Sequence, residues 1–517
     1  MTAVSSSKRS PQHVRATVAG NGHSRTEKRL ILEWTFVVFL LGAGFLLRVW
    51  GLSRAHFWDE TVYLQDAEVI CCGKINYSEL GSRPPLLSLF FAVVFLVWHH
   101  VYAACVATAL LNALGPVFLY FSGRLMAGRA AAVLASLLLA FSPYFVGVFP
   151  AGFVSDDTGN SLLSDSPALT LLIMSLWLFL RALRHQTGLR FAWPGFFLGL
   201  AVLMRFASLS SAGLLALVVL FADRWRRAAL ACGAGFVASI GPYLCWSRFR
   251  YGGFLTTFQS GWEHFGGAGE SPLFYLESFV HIFSWITVVG LVIRLTSWIW
   301  RRQAEGNGVV DGSSANNKSG LEGFLLFWAA GVFVFFSALP HKEPRYVMPA
   351  AAPVLLLAGI GLSTVLRSSK TSARIAAAVL LISALAFTFA PSRQRFESPF
   401  IDDEVTEEME VSDFLNKSVP HDTVLYANFN YPVFAYYTNL PIRRIGETGP
   451  ALYDALNHLP GDGILIAYRP NGDVQEPQLS WLDSSPHFHR FREFPSLMLY
   501  EYRVRETDPP IFSHARQ

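Results

Sequence analysis

The sequence predicts a polytopic α-helical membrane protein with about eleven transmembrane helices, interfacial helices in its first outer loop, and a small C-terminal α/β domain outside the membrane. Three observations carry this. Residues of the AVILMFWYC set make up 52% of the 517 positions. Only 15% are charged, where soluble chains hold about 25%. The charges are also unevenly placed, thinning out over long apolar stretches and gathering between them. This composition excludes a disordered chain, a coiled coil and a nucleic-acid binder of the basic type, so membrane lipid is expected as a partner and nucleic acid is not.

Residues 1–29 are Ser-rich and basic, with Lys8, Arg9, Arg15, Arg25, Lys28 and Arg29 against Glu27, and read as a disordered cytoplasmic tail. The apolar run Trp34–Trp50 has no small-residue cleavage pattern after it, so it reads as an uncleaved first membrane helix rather than a signal peptide. Further apolar runs follow at 101–122, 130–149, 167–182, 191–204, 206–222, 228–246, 275–299, 322–339, 347–366 and 373–390. Several are long enough for a bilayer core of about 30 Å. The segment 84–98 is also apolar, but it is short and opens on Pro84-Pro85, as interfacial or re-entrant segments do.

Charge decides its placement. If 84–98 does not span, one set of loops collects twenty Lys and Arg and the other nine before residue 391. If it spans, the bias reverses. The positive-inside rule therefore predicts eleven spans, a cytoplasmic N-terminus and an extracytoplasmic C-terminus, in a plasma, inner or endoplasmic-reticulum membrane. The stretch 303–320 is then a flexible cytoplasmic loop. Residues 30–390 form the transmembrane domain and 391–517 a separate unit, which carries 19 acids against 11 bases. In that unit, helix-like 405–415 and 451–459 alternate with strand-like 423–427, 463–468 and 497–504, a pattern of small α/β domains. It has no Gly-rich phosphate loop.

The five cysteines do not make a disulfide scaffold. Cys105, Cys232 and Cys245 lie in apolar runs and read as small core hydrophobes. Cys71 and Cys72 are adjacent, and adjacent cysteines rarely bridge without strain. His99-His100 has no third ligand in the sequence and reads as structural.

Candidate chemistry lies at helix edges that this topology puts on one side. Asp59-Glu60 follows the first helix; a carboxylate pair can supply a general base, its pKa raised by its neighbour's charge. Asp156, Asp157 and Asp165 lie in the 150–166 loop, although Asp165-Ser166-Pro167 is also an ordinary helix start. Arg205 can snorkel at a helix end or hold an anion such as a phosphate. His341-Lys342-Glu343-Pro344-Arg345-Tyr346 puts four ionisable residues in one tight turn, where His, Lys and Arg can clamp a phosphate. Arg83 opens the interfacial segment and can face the same cleft.

These residues resemble the GT-C superfamily of polytopic glycosyltransferases, in particular the protein O-mannosyltransferase and lipid A aminoarabinose-transferase type. The resemblance rests on WDETVY (58–63), RPPL (83–86), SGRLMAGRAAAVLASLLLAFSPYFV (122–146), LLSDSPALTLL with Asp165, and GLAVLMRF (199–206). It covers roughly residues 34–366. HKEPRY (341–346) is similar instead to the His-Lys-Glu-x-Arg-Phe motif of mannosyltransferases that build lipid-linked oligosaccharide and glycolipid anchors, with Tyr346 in place of Phe.

The resemblance implies a GT-C-like catalytic domain and a polyprenyl- or dolichyl-phosphate-sugar donor. It implies inverting single displacement of a hexose, mannose-like, onto a hydroxyl of a protein, lipid or glycan acceptor. Carried onto this chain, Asp59 is the base and Glu60 orients it or holds the acceptor. Asp165 and Tyr63 line the cleft with Arg83. Arg205, Lys342 and Arg345, in the turn with His341 and Glu343, hold the lipid phosphate. No cofactor is required, although some superfamily members use a divalent metal and these acids are of the type that binds one.

The rival classes are a transporter and a non-catalytic scaffold. A transporter places ionisable residues near the bilayer midplane, whereas here Arg294 is the main charge within a span and no internal repeat is evident. A scaffold predicts no convergence of Asp59, Asp165, Arg205 and Lys342.

Overall fold

The computed structural model describes residues 15–74, 78–146, 162–185, 188–213, 226–263, 269–306, 315–367, parts of 371–382, 400–402, 405–446, 449–469 and 477–504. Most of it is a helical bundle, and the rest is a five-stranded sheet with helices on both faces.

The bundle begins with α1 (Arg15–Val49). This helix reaches into the segment expected to be a disordered tail, because the first membrane helix continues N-terminally through residues free of proline. A two-residue strand β1 (Leu52–Ser53) leads to α2 (Trp58–Cys72), which stops at Gly73 with φ 72°, the left-handed turn that glycine adopts without strain. Then come α3 (Leu86–Val97), α4 (Val101–Met126), α5 (Arg129–Phe141), the single turn α6 (Pro143–Val146), α7 (Asp165–His185) and α8 (Ala192–Met204). These are followed by α9 (Arg226–Tyr251), α10 (Thr256–Glu263), α11 (Phe274–Glu277), α12 (Phe279–Gly306) and α13 (Ala315–Ser337). A 3-10 turn, Pro344–Ala350, feeds α14 (Ala351–Leu366).

Among the described residues, seven helical segments are long and apolar enough to cross a membrane: Glu27–Val49, Val101–Met126, Asp165–His185, Arg227–Tyr251, Phe279–Trp300, Gly320–Ser337 and Pro344–Leu366. Arg129–Phe141 and Leu189–Met204 are shorter apolar helices where spans were expected. Two further expected spans, 206–222 and 373–390, lie largely outside the described residues. The segment read as non-spanning is helix α3, twelve residues long, about 18 Å at the helical rise. It packs on α2. The expected flexible loop 303–320 is helical at both ends, and 307–314 lie outside the described residues.

In a bilayer, helix contacts depend on close packing rather than on water exclusion, and small residues sit at the crossings. Gly195 of α8 and Gly235 of α9 face each other's backbones, and a methyl group on either would collide with a carbonyl oxygen. Cys105 and Cys232 are buried as expected, but Cys245 is exposed. It lies on the outer face of α9, where lipid accepts a small apolar group as readily as the core does. Cys71 and Cys72 also depart from expectation, being joined as a vicinal disulfide at the end of α2.

The C-terminal unit opens with β2 (Ile401–Asp402) and α15 (Glu407–Ser418), followed by β3 (Val424–Ala427), α16 (Tyr431–Tyr437), β4 (Ile442–Arg444) and α17 (Gly449–Asn457). It finishes with β5 (Gly463–Tyr468), α18 (Leu479–Ser484), β6 (Phe488–Glu493) and β7 (Leu497–Tyr502). Strand order is β4-β3-β5-β7-β6. β4, β3 and β5 run parallel, and β7 and β6 are antiparallel. Successive strand residues face opposite sides, so Ile464 and Ile466 join one core with Val411, Leu415 and Phe434. Leu465 and Ala467 join the other with Leu452, Leu456 and Leu482. Cover on both faces explains why GILIAY is an unbroken apolar run.

The unit is tied to the first loop at several points. β2 pairs with β1, placing Ile401 opposite Leu52. α16 packs on α2, Tyr437 Oη donates to Arg54 O at 2.6 Å, and His56 N donates to Tyr437 Oη at 3.0 Å.

Candidate active site

Asp59 and Glu60 are neighbours in sequence and opposites in role. Consecutive helical residues point about 100° apart, so the first turn of α2 aims the two acids in different directions. Glu60 turns inward. It accepts hydrogen bonds from Phe57 N at 3.1 Å and Leu162 N at 2.7 Å, and pairs with His56 Nδ1 at 3.2 Å. Burial works against the charged His56 ring, but Glu60 outweighs it and carries the His56 pKa up to about 10. Glu60 was expected to orient the base or hold the acceptor; the structure instead has it holding the N-terminus of α2 to the start of α7.

Asp59 points into a cluster of guanidinium groups. Its Oδ1 meets Arg83 Nη2 at 2.8 Å and its Oδ2 accepts from Arg345 Nη1 at 2.9 Å. Burial alone would raise its pKa, but Arg83, Arg345 and Arg205 outweigh burial and hold the carboxyl well below the usual carboxylate range. The expectation that Glu60 would raise it is overturned, because the charges closest to Asp59 are cations.

Arg345 bridges Asp59 and Glu343. Glu343 Oε1 also meets His341 Nε2 at 3.1 Å. Burial pushes Glu343 up and Arg345 more than offsets it, so its pKa is lowered. Lys342 differs from its expected place on a phosphate. Its Nζ donates to Leu339 O at 2.6 Å and Glu270 O at 3.0 Å, and the side chain is buried. A buried ammonium needs acceptors, and carbonyls from the turn after α13 and from the segment before α11 provide them.

The second pair lies between α7 and α8. Arg205 Nε meets Asp165 Oδ1 at 2.8 Å, and Arg205 Nη1 donates to Ser164 Oγ at 3.4 Å. Ser164 Oγ in turn meets Tyr63 Oη at 3.0 Å. The Arg205 guanidinium lies 5.8 Å from the centroid of the Tyr346 ring, which joins this pair to the turn carrying Arg345. The start of α7, the end of α8, the start of α2 and the turn before α14 thus converge. Asp156 and Asp157 lie outside the described residues. His99 and His100 are structural: His99 faces Glu68 at 3.6 Å and His100 caps α4 through Tyr102 N.

Sequence reasoning missed His56, Ser164, Asp66 and Glu79. Glu79 had a signal, standing four residues before Arg83, and its Oε2 accepts from Arg83 Nε at 2.9 Å. His56 had the same signal, four residues before Glu60, whereas Ser164 and Asp66 had none, because their partners are distant in sequence. The acids at the site point at guanidinium groups, and no group of three or more His, Cys, Asp or Glu suited to a metal exists among the described residues. Among the described residues these acids therefore do not form a divalent-metal cage.

The comparisons with known proteins bear on the fold and on the kind of enzyme. The family model for dolichyl-phosphate-mannose-protein mannosyltransferase matches residues 82–246, and the Alg9-like mannosyltransferase family model matches residues 269–428. Among curated proteins no match was found. Among solved structures, ArnT from Cupriavidus metallidurans bound to undecaprenyl phosphate is similar with TM-score 0.63 at 14% identity, over 92% of this chain and 99% of that one. AglB, the archaeal oligosaccharyltransferase from Archaeoglobus fulgidus in complex with an inhibitory peptide and a dolichol-phosphate, is similar with TM-score 0.56 at 13% identity, over 80% of this chain and 64% of that one. At these identities the two structures speak for the fold, and the family models speak for the chemistry. Together they show that this chain has the GT-C fold and is similar to polytopic membrane glycosyltransferases.

Proposed function

We propose that the protein transfers a mannose-like hexose from a polyprenyl- or dolichyl-phosphate sugar to an acceptor hydroxyl, on the extracytoplasmic side, with inversion. The observation that carries this reading is the convergence of Asp59 with Arg83, Arg345 and the Arg205–Asp165 pair. Asp59 stands among Arg83, Arg345 and Arg205 at the common end of the helices, and those guanidinium groups are shared with Glu79, Glu343 and Asp165. A lipid-phosphate donor demands cations at membrane level, and guanidinium groups match phosphate oxygens in pairs.

In the proposed step the donor phosphate is held by Arg345 and Arg205. A phosphate competes with Asp59 for Arg345, so its arrival weakens the ion pair and makes Asp59 more basic. Asp59 then takes the proton of the acceptor hydroxyl. The acceptor oxygen attacks the anomeric carbon as the bond from that carbon to the phosphate oxygen breaks. The polyprenyl phosphate leaves with its growing negative charge on the arginines. Protein, lipid and glycan acceptors all supply the required hydroxyl.

The test uses full-length protein in lipid vesicles with polyprenyl-phosphate-mannose as donor. Asp59→Asn should lower transfer about a thousandfold, the scale of a lost general base, with undecaprenyl phosphate still bound. Wild-type-like transfer by that variant removes Asp59 as the base. Arg345→Met should weaken undecaprenyl phosphate binding about tenfold, the scale of a lost charge-assisted hydrogen bond, and unchanged affinity removes it as a phosphate ligand.

A further inference from the structure

The C-terminal α/β domain touches the chain of side chains that ends at Asp59. Tyr431, the first residue of α16, donates from its hydroxyl to Glu79 Oε1 at 3.4 Å. Its ring meets Trp58 edge-on, with centroids 4.8 Å apart, and Arg444 lies 5.2 Å from the Tyr431 ring centroid. Trp58 immediately precedes Asp59. The α/β domain therefore meets the catalytic segment at two points, the residue before Asp59 and the acid that holds Arg83.

Glu79 is fixed from several directions. Its backbone N donates to Asp66 Oδ1 at 2.9 Å, and Ser78 Oγ donates to the same oxygen at 2.8 Å, so α2 anchors the segment before Arg83. Its carbonyl accepts from Arg83 N at 3.0 Å. Its carboxylate then takes Arg83 Nε, leaving Nη2 of the same planar guanidinium on Asp59. A guanidinium is a rigid fork, and anchoring one prong on Glu79 sets the direction of the other.

We infer that Glu79 is a positioning residue that restrains Arg83 toward Asp59, and that the α/β domain holds Glu79 in that role through Tyr431. This rests on the lipid-phosphate reading above. A neutral residue at 79 leaves Arg83 with one anionic partner fewer, so Arg83 offers more of its charge to a phosphate. Anion affinity then rises when an acid that never touches the anion is neutralised. A packing defect would instead lower affinity.

The experiment measures undecaprenyl phosphate binding to the full-length protein in detergent, with the thermal midpoint recorded for each variant. Glu79→Gln is expected to bind about three- to tenfold tighter, and Glu79→Asp, which keeps the charge, to bind like wild type. Arg83→Met should bind more weakly than wild type, and Glu79→Gln added to it should change nothing further, the non-additivity of residues acting through one another. Tyr431→Phe should tighten binding by about twofold.

Wild-type protein that does not bind undecaprenyl phosphate overturns the lipid-phosphate reading, and this inference falls with it. Wild-type protein that binds, with Glu79→Gln unchanged or weaker, overturns the inference alone. So does a full Glu79→Gln effect in the Arg83→Met background. Tyr431→Phe indistinguishable from wild type removes the α/β domain from the mechanism.

Discussion

The bundle and the α/β domain handle charge in opposite ways. At the converging ends of the helices the charges are buried and paired: Asp165 and Arg205 have side chains 2% and 12% exposed. On the α/β domain most pairs lie toward solvent, as with Lys417 and Asp413, at 72% and 63%, and among the described residues the buried exception is the single pair Arg503–Glu501. Burying an ion costs several kcal/mol unless it is paired, and a chain does not gather seven such groups at one end of a membrane bundle to gain stability. A single buried pair such as Arg503–Glu501 can serve packing alone, whereas the cluster at the helix ends supports the chemistry proposed above. The exposed pairs read as surface.

Within the cluster the two adjacent acids sharpen the contrast. Asp59 faces three arginines, and Glu60 faces His56 and two backbone amides. Their loss should therefore be felt in different measurements. Glu60→Gln leaves the amide hydrogen bonds partly in place but removes the charge beside His56, and should cost about 3 kcal/mol of stability, the range for breaking a buried pair. Thermal unfolding checks this. The stabilisation from the His56–Glu60 pair is full below about pH 6.5 and lost as pH rises through about 10. The gap between wild type and Glu60→Gln should close over that interval. A variant with wild-type unfolding and depressed transfer would return Glu60 to the catalytic role first expected of it.

Asp66 is a buried acid with a weaker hold. Its Oδ1 accepts from Ser78 and Glu79, but its Oδ2 has no hydrogen-bond partner among the described residues. Burial pushes its pKa up to about 7. In the unfolded chain an aspartate ionises near 4. Between those values the folded protein binds more protons, so stability falls as pH rises from about 4 to about 7 and stays low above. Asp66→Asn keeps the accepting oxygen and cannot ionise. It should raise the thermal midpoint strongly at pH 8 and by much less at pH 5, where only the first part of the loss has occurred. A variant less stable at both pH values would mean that the hydrogen bonds of the carboxyl matter more than its burial.

The parts of this architecture legible in the sequence were those with a local signature. β5 was read at 463–468 because five apolar residues between Gly463 and a polar turn make a buried strand. The short segment 84–98 stood apart by its length, and it is a twelve-residue helix packed on α2. Asp59, Asp165, Arg205 and Arg345 were found because charge is rare in such a chain and these residues lie at helix edges. Other features depended on the third dimension. Lys342 reads as a phosphate ligand until its carbonyl acceptors are seen. Glu60 reads as half of a catalytic pair until the helix turns it inward. α16 and β6 were missed because YPVFAYY and FHRFRE follow no clear apolar period; their places are set by α2 on one side and β7 on the other. The contact between Tyr431 and Glu79 spans more than 350 positions and leaves no trace in local pattern.

The smallest effect belongs to the exposed pairs, and it is the one that makes the contrast quantitative. Lys417 and Asp413 stand one turn apart on α15 with both side chains mostly in solvent. Exposed i,i+4 pairs contribute about 0.3–0.5 kcal/mol, and water screens them further as salt rises. Lys417→Ala also places a better helix former in the last turn of α15, which offsets part of the loss. The variant should therefore unfold at the wild-type temperature, transfer sugar at the wild-type rate and show no added salt dependence. A clear fall in either quantity would mean that charge on the α/β surface matters as it does at the helix ends. The acidic face of that domain would then be a working surface rather than a solvated one.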